Sequence, residues 1–307
     1  MEAVIWKAVA FLFVIFLSYF LNRRGFFPAG SAQTVTKITM NITMPAAVIS
    51  SFAQFQKDNS LFLLVALGFG CNCAMLLAGF LVSRKMSRVR QVYYLMNFPG
   101  YNIGSFTLPF VQNFLGPYGV VATCLFDTGN SIMCTGGTYA IVSGIVGGDG
   151  GSRLTAKDIL KRLFSSVPFD TYLLMLILVL TGIPIPGPVN TVASTIGAAN
   201  GFMAMMMLGM MFRFEAKAAY FKDAGFTLLV RYLFAGALSA LFYFCTPLPL
   251  ELRQVLAIIV FAPNSALSAA FTEKNKGDSG LSSFTGTISL LLSIVIMTVL
   301  LLFMNIS

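Results

Sequence analysis

Long apolar stretches dominate the chain and constrain its fold more than any other feature. A helix needs about 20 mainly apolar residues to cross the hydrocarbon core of a bilayer. By that rule the sequence predicts ten membrane spans, at 3–21, 33–53, 60–82, 91–114, 118–146, 168–186, 189–212, 224–245, 252–272 and 281–305. Of the 307 residues, 57% are hydrophobic and 10% are charged, against about 25% charged in ordinary globular domains. The sequence therefore predicts an all-α polytopic membrane protein.

The basic residues predict how these spans are oriented. Of the 20 lysines and arginines, 16 fall in the odd-numbered loops, and positive residues stay on the cytoplasmic side of a membrane. Both termini of this multi-pass protein are therefore expected outside the cytoplasm. The net charge of +9 is spread over short loops, whereas a nucleic-acid binder clusters its basic residues on one face. We expect a lipid bilayer as the environment and no nucleic acid as a partner.

Two of the spans are interrupted in the middle by helix-breaking residues. The interrupting residues are Pro99, Gly100 and Asn102 in the fourth span and Pro263, Asn264 and Ser265 in the ninth. Proline leaves a backbone carbonyl free, so an unwound segment offers carbonyls to a cation and a positive half-helix end to a carboxylate. These six residues form the predicted substrate-binding site. The alternative is a simple proline kink whose asparagine satisfies the broken hydrogen bonds.

A short internal repeat divides the chain into halves. Lys57-Asp58 and Lys222-Asp223 each open a span, and an Arg-Gln-Val motif follows 33 residues later in the first half and 31 in the second. Five spans per half is an odd number, so the second half enters the membrane from the opposite side. The predicted domains are a five-helix repeat at 1–146, a cytoplasmic linker at 147–167 and an inverted five-helix repeat at 168–307. Within the linker, 155–164 is predicted to form an amphipathic surface helix.

Two charged residues, Asp127 and Arg231, lie further from the ends of their predicted spans than any other charged residue. Asp127 is about ten residues into the fifth span, and Asn130 lies on the same helix face. Carboxylates at this depth are costly and usually mark ion or proton pathways, so Asp127 and Asn130 are predicted to bind a coupling proton or sodium ion. The alternative is a structural ion pair, for which Arg231 in the eighth span is the candidate partner. Pro45 and Asn200, in the second and seventh spans, are candidate lining residues of the substrate path.

No residue pattern in the sequence indicates an enzyme, a metal site or an organic cofactor. The chain has no histidine, no paired aspartates in facing spans and no Gly-x-Ser-x-Gly motif. The spacing of Cys71 and Cys73 does not fit a zinc knuckle, and free cysteine in an apolar span behaves as a small hydrophobe. We therefore expect a non-enzymatic protein without a cofactor or metal, apart from a coupling H⁺ or Na⁺.

The motifs around these breaks resemble those of the auxin efflux carrier family, which contains plant PIN-type auxin carriers and bacterial organic-acid permeases. The resemblance covers essentially the whole chain and rests on NITMPAAVISSF, FPGYNIGSFTLPFVQNFLGPYG and FAPNSALSAAFTEKNKGDSGLSSFTGTISLLLSI. It implies a fold similar to that of bile-acid sodium symporters, with ten helices in two inverted repeats and broken fourth and ninth helices that cross at prolines. It also implies a scaffold domain of spans one, two, six and seven, and a moving transport domain of spans three to five and eight to ten.

The resemblance implies a function as well. Family substrates are organic anions such as auxin, malate or malonate, so we expect a secondary transporter that moves a small organic carboxylate by alternating access. The chain lacks the long central loop of the larger plant carriers and is more similar to a compact bacterial member, located in a bacterial inner membrane. Proton coupling, sodium coupling and uniport stay open, and a homodimer is a further expectation. The alternatives are a sodium-coupled bile-acid-type symporter and, in a different class, a channel or a receptor.

Overall fold

The computed structural model describes residues 2–55, 61–147, 155–212 and 217–306, and within them it is all-helical. Its helices are α1 Glu2–Arg23, α2 Ser31–Ile38, α3 Met44–Phe52, α4 Leu61–Ser83, α5 Arg88–Asn97, α6 Leu108–Phe114, α7 Gly116–Ile132, α8 Thr138–Ile145, α9 Ala156–Leu163, α10 Val167–Thr181, α11 Gly187–Gly197, α12 Asn200–Met211, α13 Tyr220–Cys245, α14 Leu250–Ile259, α15 Ser268–Lys274 and α16 Ser279–Phe303. Three π-helical turns precede α3, α6 and α8, at Thr39–Thr43, Ile103–Thr107 and Met133–Gly137. The expected all-α class is confirmed.

Several of these helices are long and apolar enough to cross a membrane. By length and composition, the described residues contain five such helices, at Val4–Arg23, Leu63–Ser83, Gly187–Met211, Tyr220–Cys245 and Ser279–Phe303. The pair Ala156–Leu163 and Val167–Thr181, bent by 80°, brings the count to six if it is taken as one span. The other predicted spans consist of shorter helices, because prolines, glycines and π-helical turns interrupt them. The full count of ten spans stays a prediction.

The outer faces of the long helices expose large apolar side chains. α1 exposes Trp6, Phe13 and Phe20, and α13 exposes Leu233 and Phe244. Apolar surface of this extent is unfavourable in water, but it is the normal outer surface of a helix in contact with lipid hydrocarbon. The exposure pattern therefore agrees with the membrane environment that the composition predicts.

Glycines allow α4 and α7 to pack with their backbones in contact. A Cβ atom on Gly68 would overlap the carbonyl group of Phe126, and a Cβ atom on Gly129 would overlap that of Val65. Small residues at such positions let membrane helices approach closely. This packing fixes α7 against α4, and both helices contribute side chains to the site described below.

The predicted surface helix of the linker is present as α9. The Thr155 hydroxyl accepts a hydrogen bond from the Asp158 backbone N–H, and the Asp158 carboxylate accepts one from the Thr155 N–H at 2.9 Å. Hydrogen bonds from the Thr155 backbone and hydroxyl hold the pKa of Asp158 below its ordinary value. The rest of the glycine-rich linker, at 148–154, and the first repeat motif, Lys57-Asp58, lie outside the described residues.

The contact between α4 and α7 predicts a large difference between two glycine substitutions in the same helix. Gly68→Ala should lower the free energy of unfolding by about 1–3 kcal/mol, the usual cost of overpacking, because the added methyl group meets backbone that cannot rotate away. Gly70→Ala is the control, since a Cβ atom there has nothing within 4 Å. Thermal unfolding of the purified variants measures the difference. Equal melting temperatures for the two variants would contradict the packing.

Candidate functional site

The two interrupted spans meet where their helices break. α5 ends at Asn97 and α14 ends at Ile259. The non-helical segments that follow, 98–102 and 260–267, lie against each other although they belong to different halves of the chain. We call these two segments the crossover.

Backbone hydrogen bonds join the two segments of the crossover. Tyr101 and Asn264 form an isolated antiparallel β-bridge, and the Asn102 N–H donates to the Pro263 carbonyl at 2.9 Å. Gly100 has a left-handed backbone conformation, with φ of 88°, which favours glycine over residues with a side chain. The crossover is therefore a short piece of extended backbone pairing inside an otherwise helical protein.

Two asparagine side chains hold the first segment of the crossover in place. The Gly100 N–H donates to Asn72 Oδ1 at 2.7 Å, and Asn72 Nδ2 donates to Asn130 Oδ1 at 3.0 Å. Asn130 Nδ2 donates to the Tyr101 carbonyl at 2.9 Å, and Asn130 Oδ1 accepts from the Tyr101 N–H at 3.2 Å. Asn130 Nδ2 also donates to Asp127 Oδ1 at 2.7 Å. α4 and α7 thus replace the helical hydrogen bonds that the break removes.

Hydroxyl groups of α16 do the same for the second segment. The Asn264 N–H donates to Ser289 Oγ at 3.1 Å, and Ser293 Oγ donates to the Phe261 carbonyl at 2.6 Å. The Asn264 side chain reaches across to the first half of the chain, where its Nδ2 donates to the Asn97 carbonyl at 2.8 Å. Each broken segment is therefore held by side chains from the helices beside it and by the other segment.

Arg231 of α13 places its guanidinium group against the carbonyl oxygens of the crossover. Nη1 donates to the Phe98 carbonyl, and Nη2 donates to the Gly100 carbonyl at 3.1 Å and to the Ala262 carbonyl at 3.4 Å. The side chain is buried and lies 5.4 Å from the centre of the Tyr101 ring. Among the described residues, no carboxylate lies within ion-pair distance of it.

The alternative that the sequence left open, a structural ion pair between Arg231 and Asp127, is therefore not present among the described residues. The physical reason is that each helix break frees carbonyl groups that carry negative partial charge. These carbonyls satisfy the guanidinium without a carboxylate. The Asp127 carboxylate instead uses the Asn130 amide as its hydrogen-bond donor.

Besides a small gap of about 10 Å³ beside Pro99, Gly100 and Ser265, two larger cavities adjoin the crossover. The larger has a volume of about 420 Å³ and is completed by residues of α12 and α16. The smaller has a volume of about 220 Å³ and includes Asp127, Asn130, Ser131 and Tyr172 in its lining. The residues that line both cavities come from the two broken spans; they are Asn102, Ser105, Ser265, Ala266 and Leu267. The amide and hydroxyl groups of this shared wall can hydrogen-bond a small polar molecule.

One polar atom of the crossover has no partner. Asn264 Oδ1 is buried and accepts no hydrogen bond within the described part of the chain, while the Nδ2 atom of the same amide is held by the Asn97 carbonyl. A buried acceptor left unsatisfied costs about 1–3 kcal/mol. Asn264 also lines the larger cavity, so a hydrogen-bond donor of a bound molecule would relieve this cost.

The structure brings most of the predicted site residues together. Pro99, Gly100, Asn102, Pro263, Asn264 and Ser265 all lie at the crossover, and Asp127 and Asn130 lie beside it. Pro45 and Asn200 are in the lining of neither cavity. Pro45 is buried in the first turn of α3. The Asn200 amide bonds Gln112 at 3.0 Å and Thr43 at 3.2 Å, which links neighbouring helices.

Several polar residues of the site were not predicted from the sequence. They include Ser105 in the wall of both cavities, Asn72 and Asn97, whose amide or carbonyl groups bond the crossover, and Ser293 of α16. Asn72 could have been identified from the sequence, because an amide in the middle of a long apolar stretch is unusual, as the Asp127 carboxylate is. Asn97 and Ser293 are harder to identify in this way, since both stand close to other polar residues.

Comparisons with known proteins add no assignment to this geometry. No protein-family model matches this chain, and a search of curated proteins finds no match. Within the described ranges, no group of three or more His, Cys, Asp or Glu residues is placed to hold a metal ion.

Proposed function

We propose that this protein is a secondary transporter that carries a small organic anion across a plasma membrane by alternating access. The crossover is the observation that carries the proposal. In many transporters the substrate site lies between inverted repeats, where interrupted helices place free backbone groups near the middle of the membrane. Here two interrupted apolar segments from different halves of the chain pair beside two cavities that have amide and hydroxyl groups in their lining.

The proposed architecture is ten spans in two inverted five-helix repeats. Each predicted span overlaps at least one helix of the structure. The antiparallel pairing of residues 101 and 264 supports a two-fold relation between the halves, because each segment is also held by side chains of neighbouring helices of its own half. In the first half α4 and α7 hold the broken segment, and in the second half α16 does so. Arg231 of α13 contacts carbonyls of both segments.

Helix packing supports a division into scaffold and transport domains. α1 packs on α12, and α3 packs on α10 and α11, whereas α4 packs on α7 and α13 packs on α14 and α16. α3 also packs on α7, which would be the contact between the two groups. The first group corresponds to spans one, two, six and seven, and the second to spans three to five and eight to ten. A shift of the second group against the first would move the crossover relative to the membrane.

A small anion fits the larger cavity better than a cation does. The described residues that line it include no carboxylate, and its volume of about 420 Å³ lies in the range of small-molecule sites. Ser105 lies in the first turn of the helical segment that starts at Ile103 and lines this cavity, and the N-terminal end of a helix favours negative charge. Asn102, Ser105 and Ser265 add neutral hydrogen-bonding groups.

The larger cavity is formed by ends of helices that the charge pattern assigns to the cytoplasmic side. Thr36, Met211 and Ser282 line it, and each lies close in sequence to a basic, odd-numbered loop. The described conformation is therefore proposed to be open to the cytoplasm.

The motif resemblance to auxin efflux carriers supports the same class of transporter, and membership in that family is part of the proposal.

Three other functions are less well supported by these contacts. A sodium-coupled bile-acid-type symporter would use acidic and amide ligands around both breaks, whereas Asp127 is the acidic residue in the lining of these two cavities. A channel would show conduction instead of exchange. A receptor would not require two interrupted spans that pair with each other.

Counterflow in proteoliposomes tests the transport proposal and its site together. Dicarboxylates and aromatic acids are first screened for thermal stabilisation of the purified protein, and the best acid is then loaded inside the vesicles. We expect internal acid to accelerate uptake of the same labelled acid. Asn102→Ala and Asn264→Ala should each weaken its apparent affinity about tenfold or more, the effect of about 1.4 kcal/mol.

The control for this assay is Asn190→Ala, an asparagine of α11 that lines neither cavity. Its apparent affinity should equal that of the wild type. Uptake that does not saturate and shows no counterflow would indicate a channel. Wild-type affinity in both crossover variants would place the substrate elsewhere.

Asp127 is the proposed coupling residue for a proton or a sodium ion. Asp127→Asn keeps an amide oxygen where Asn130 donates but removes the charge. We expect stimulation of wild-type uptake by a pH or sodium gradient to disappear in this variant, while counterflow without a gradient continues. Thr135→Ala, which changes a residue in the lining of the same cavity whose hydroxyl bonds back to its own chain at the Ser131 carbonyl, should keep the stimulation. Full gradient dependence in Asp127→Asn would remove Asp127 from coupling.

A further inference from the structure

The C-terminal ends of two helices converge at the crossover. α5 and α14 both stop there, and the last carbonyl groups of a helix have no intrahelical donor and carry negative partial charge. Two such ends close together produce a strongly negative region within an apolar protein. Freed carbonyls of this kind coordinate Na⁺ in other membrane transporters, and rings of carbonyls replace the hydration shell of cations in channels.

In this protein a side chain supplies the cation. The Arg231 guanidinium is within hydrogen-bond distance of five backbone carbonyl oxygens, those of Asn97, Phe98, Pro99, Gly100 and Ala262. The side chain is only 5% exposed, and no carboxylate of the described residues pairs with it. A buried charge without a counter-ion is costly unless dipoles satisfy it, so the carbonyl cluster is what makes Arg231 tolerable.

The carbonyl cluster in turn depends on the Arg231 guanidinium. Four of the five carbonyls belong to the first half of the chain and one to the second. Without a cation these carbonyls would face each other in a region where water does not compensate them. The contact therefore resembles the coordination of a free ion, with the difference that the ion is covalently attached to α13.

We propose that Arg231 is a tethered cation that fills a monovalent-cation site formed by the backbone carbonyls of the crossover. Removal of the side chain opens this site to a planar external cation. Guanidinium ion is the matching probe, because it reproduces the group that the carbonyls contact.

The tethered cation also restricts where a coupling ion can bind, an inference that rests on the proposed transport function. An arginine does not lose its proton in proteins, and a tethered charge cannot dissociate during a transport cycle. The carbonyl cluster therefore cannot exchange an ion in each cycle, and any coupling ion must bind elsewhere. The cation site itself is independent of transport and is tested without a substrate.

The test measures melting temperatures of purified wild-type, Arg231→Ala and Arg231→Lys proteins in low concentrations of guanidinium chloride or, at equal ionic strength, choline chloride. Guanidinium generally destabilises proteins, so a specific stabilisation has the opposite sign to the background effect. Arg253→Ala is the matched control, because this arginine also donates to a carbonyl, that of Tyr243 at 3.0 Å, but lies outside the crossover.

We expect Arg231→Ala to melt below the wild type and to gain about 2 °C or more in guanidinium relative to choline. Wild type and Arg253→Ala should show no such gain. Arg231→Lys, which keeps a tethered charge, should melt between wild type and Arg231→Ala, and this comparison remains decisive if Arg231→Ala is recovered only in small amounts.

The proposal is overturned if guanidinium stabilises Arg231→Ala no more than Arg253→Ala. A lysine variant no more stable than the alanine variant also overturns it.

Discussion

Backbone polar groups inside a membrane must be satisfied by the protein, and the whole site depends on how this chain meets that requirement at its two helix breaks. Proline and glycine interrupt the fourth and ninth apolar stretches, which frees N–H and carbonyl groups where lipid cannot bond them. The freed groups are satisfied by pairing between the segments, by asparagine and serine side chains and by the Arg231 guanidinium. The same groups that are costly in isolation thus become a defined polar centre.

The hydrogen bonds at the crossover link the two halves of the chain. Asn264 reaches the Asn97 carbonyl from one half to the other, and Arg231 contacts carbonyls of both. The crossover and its neighbouring helices α4, α7, α13 and α16 are therefore cross-connected, while the cavities lie at the surface that this group presents to α10 and α12. These connections are consistent with the proposed alternating access, in which the crossover and these helices would move as one group.

Much of this could be predicted from the sequence because proline, glycine and asparagine act locally. The positions of both breaks follow from Pro99-Gly100 and Pro263-Asn264, and the amphipathic helix α9 follows from its charge pattern. The partner of Arg231 could not be predicted in this way, because the carbonyls that bind it come from residues more than 30 positions away in the chain. The π-helical turns at 39–43 and 133–137 were also not predicted, since polar dilution of a span does not specify how its hydrogen bonds shift.

The two breaks do not correspond residue by residue. Gly100-Tyr101 stands between proline and asparagine in the first break, whereas Pro263 and Asn264 are adjacent in the second. In the structure Tyr101, and not Asn102, pairs with Asn264, and Gly100 uses a left-handed conformation to make the turn. Side-chain roles also differ: amides hold the first segment and hydroxyls hold the second. Arg231 contacts carbonyls of both segments. The chemical groups that hold the two segments therefore differ, which a comparison of motifs alone does not reveal.

Accessibility of Cys134 provides the most direct measurement of alternating access. Its thiol is half-buried in the lining of the smaller cavity. A membrane-impermeant charged thiol reagent can be applied to right-side-out and inside-out vesicles that contain a Cys73→Ala, Cys245→Ala chain, with Cys134→Ser as the control. For a carrier, Cys134 should react from the cytoplasmic side at rest and become reactive from the outer side when substrate is supplied outside. Reaction from one side only, at a rate that substrate leaves unchanged, would contradict a carrier built around the crossover.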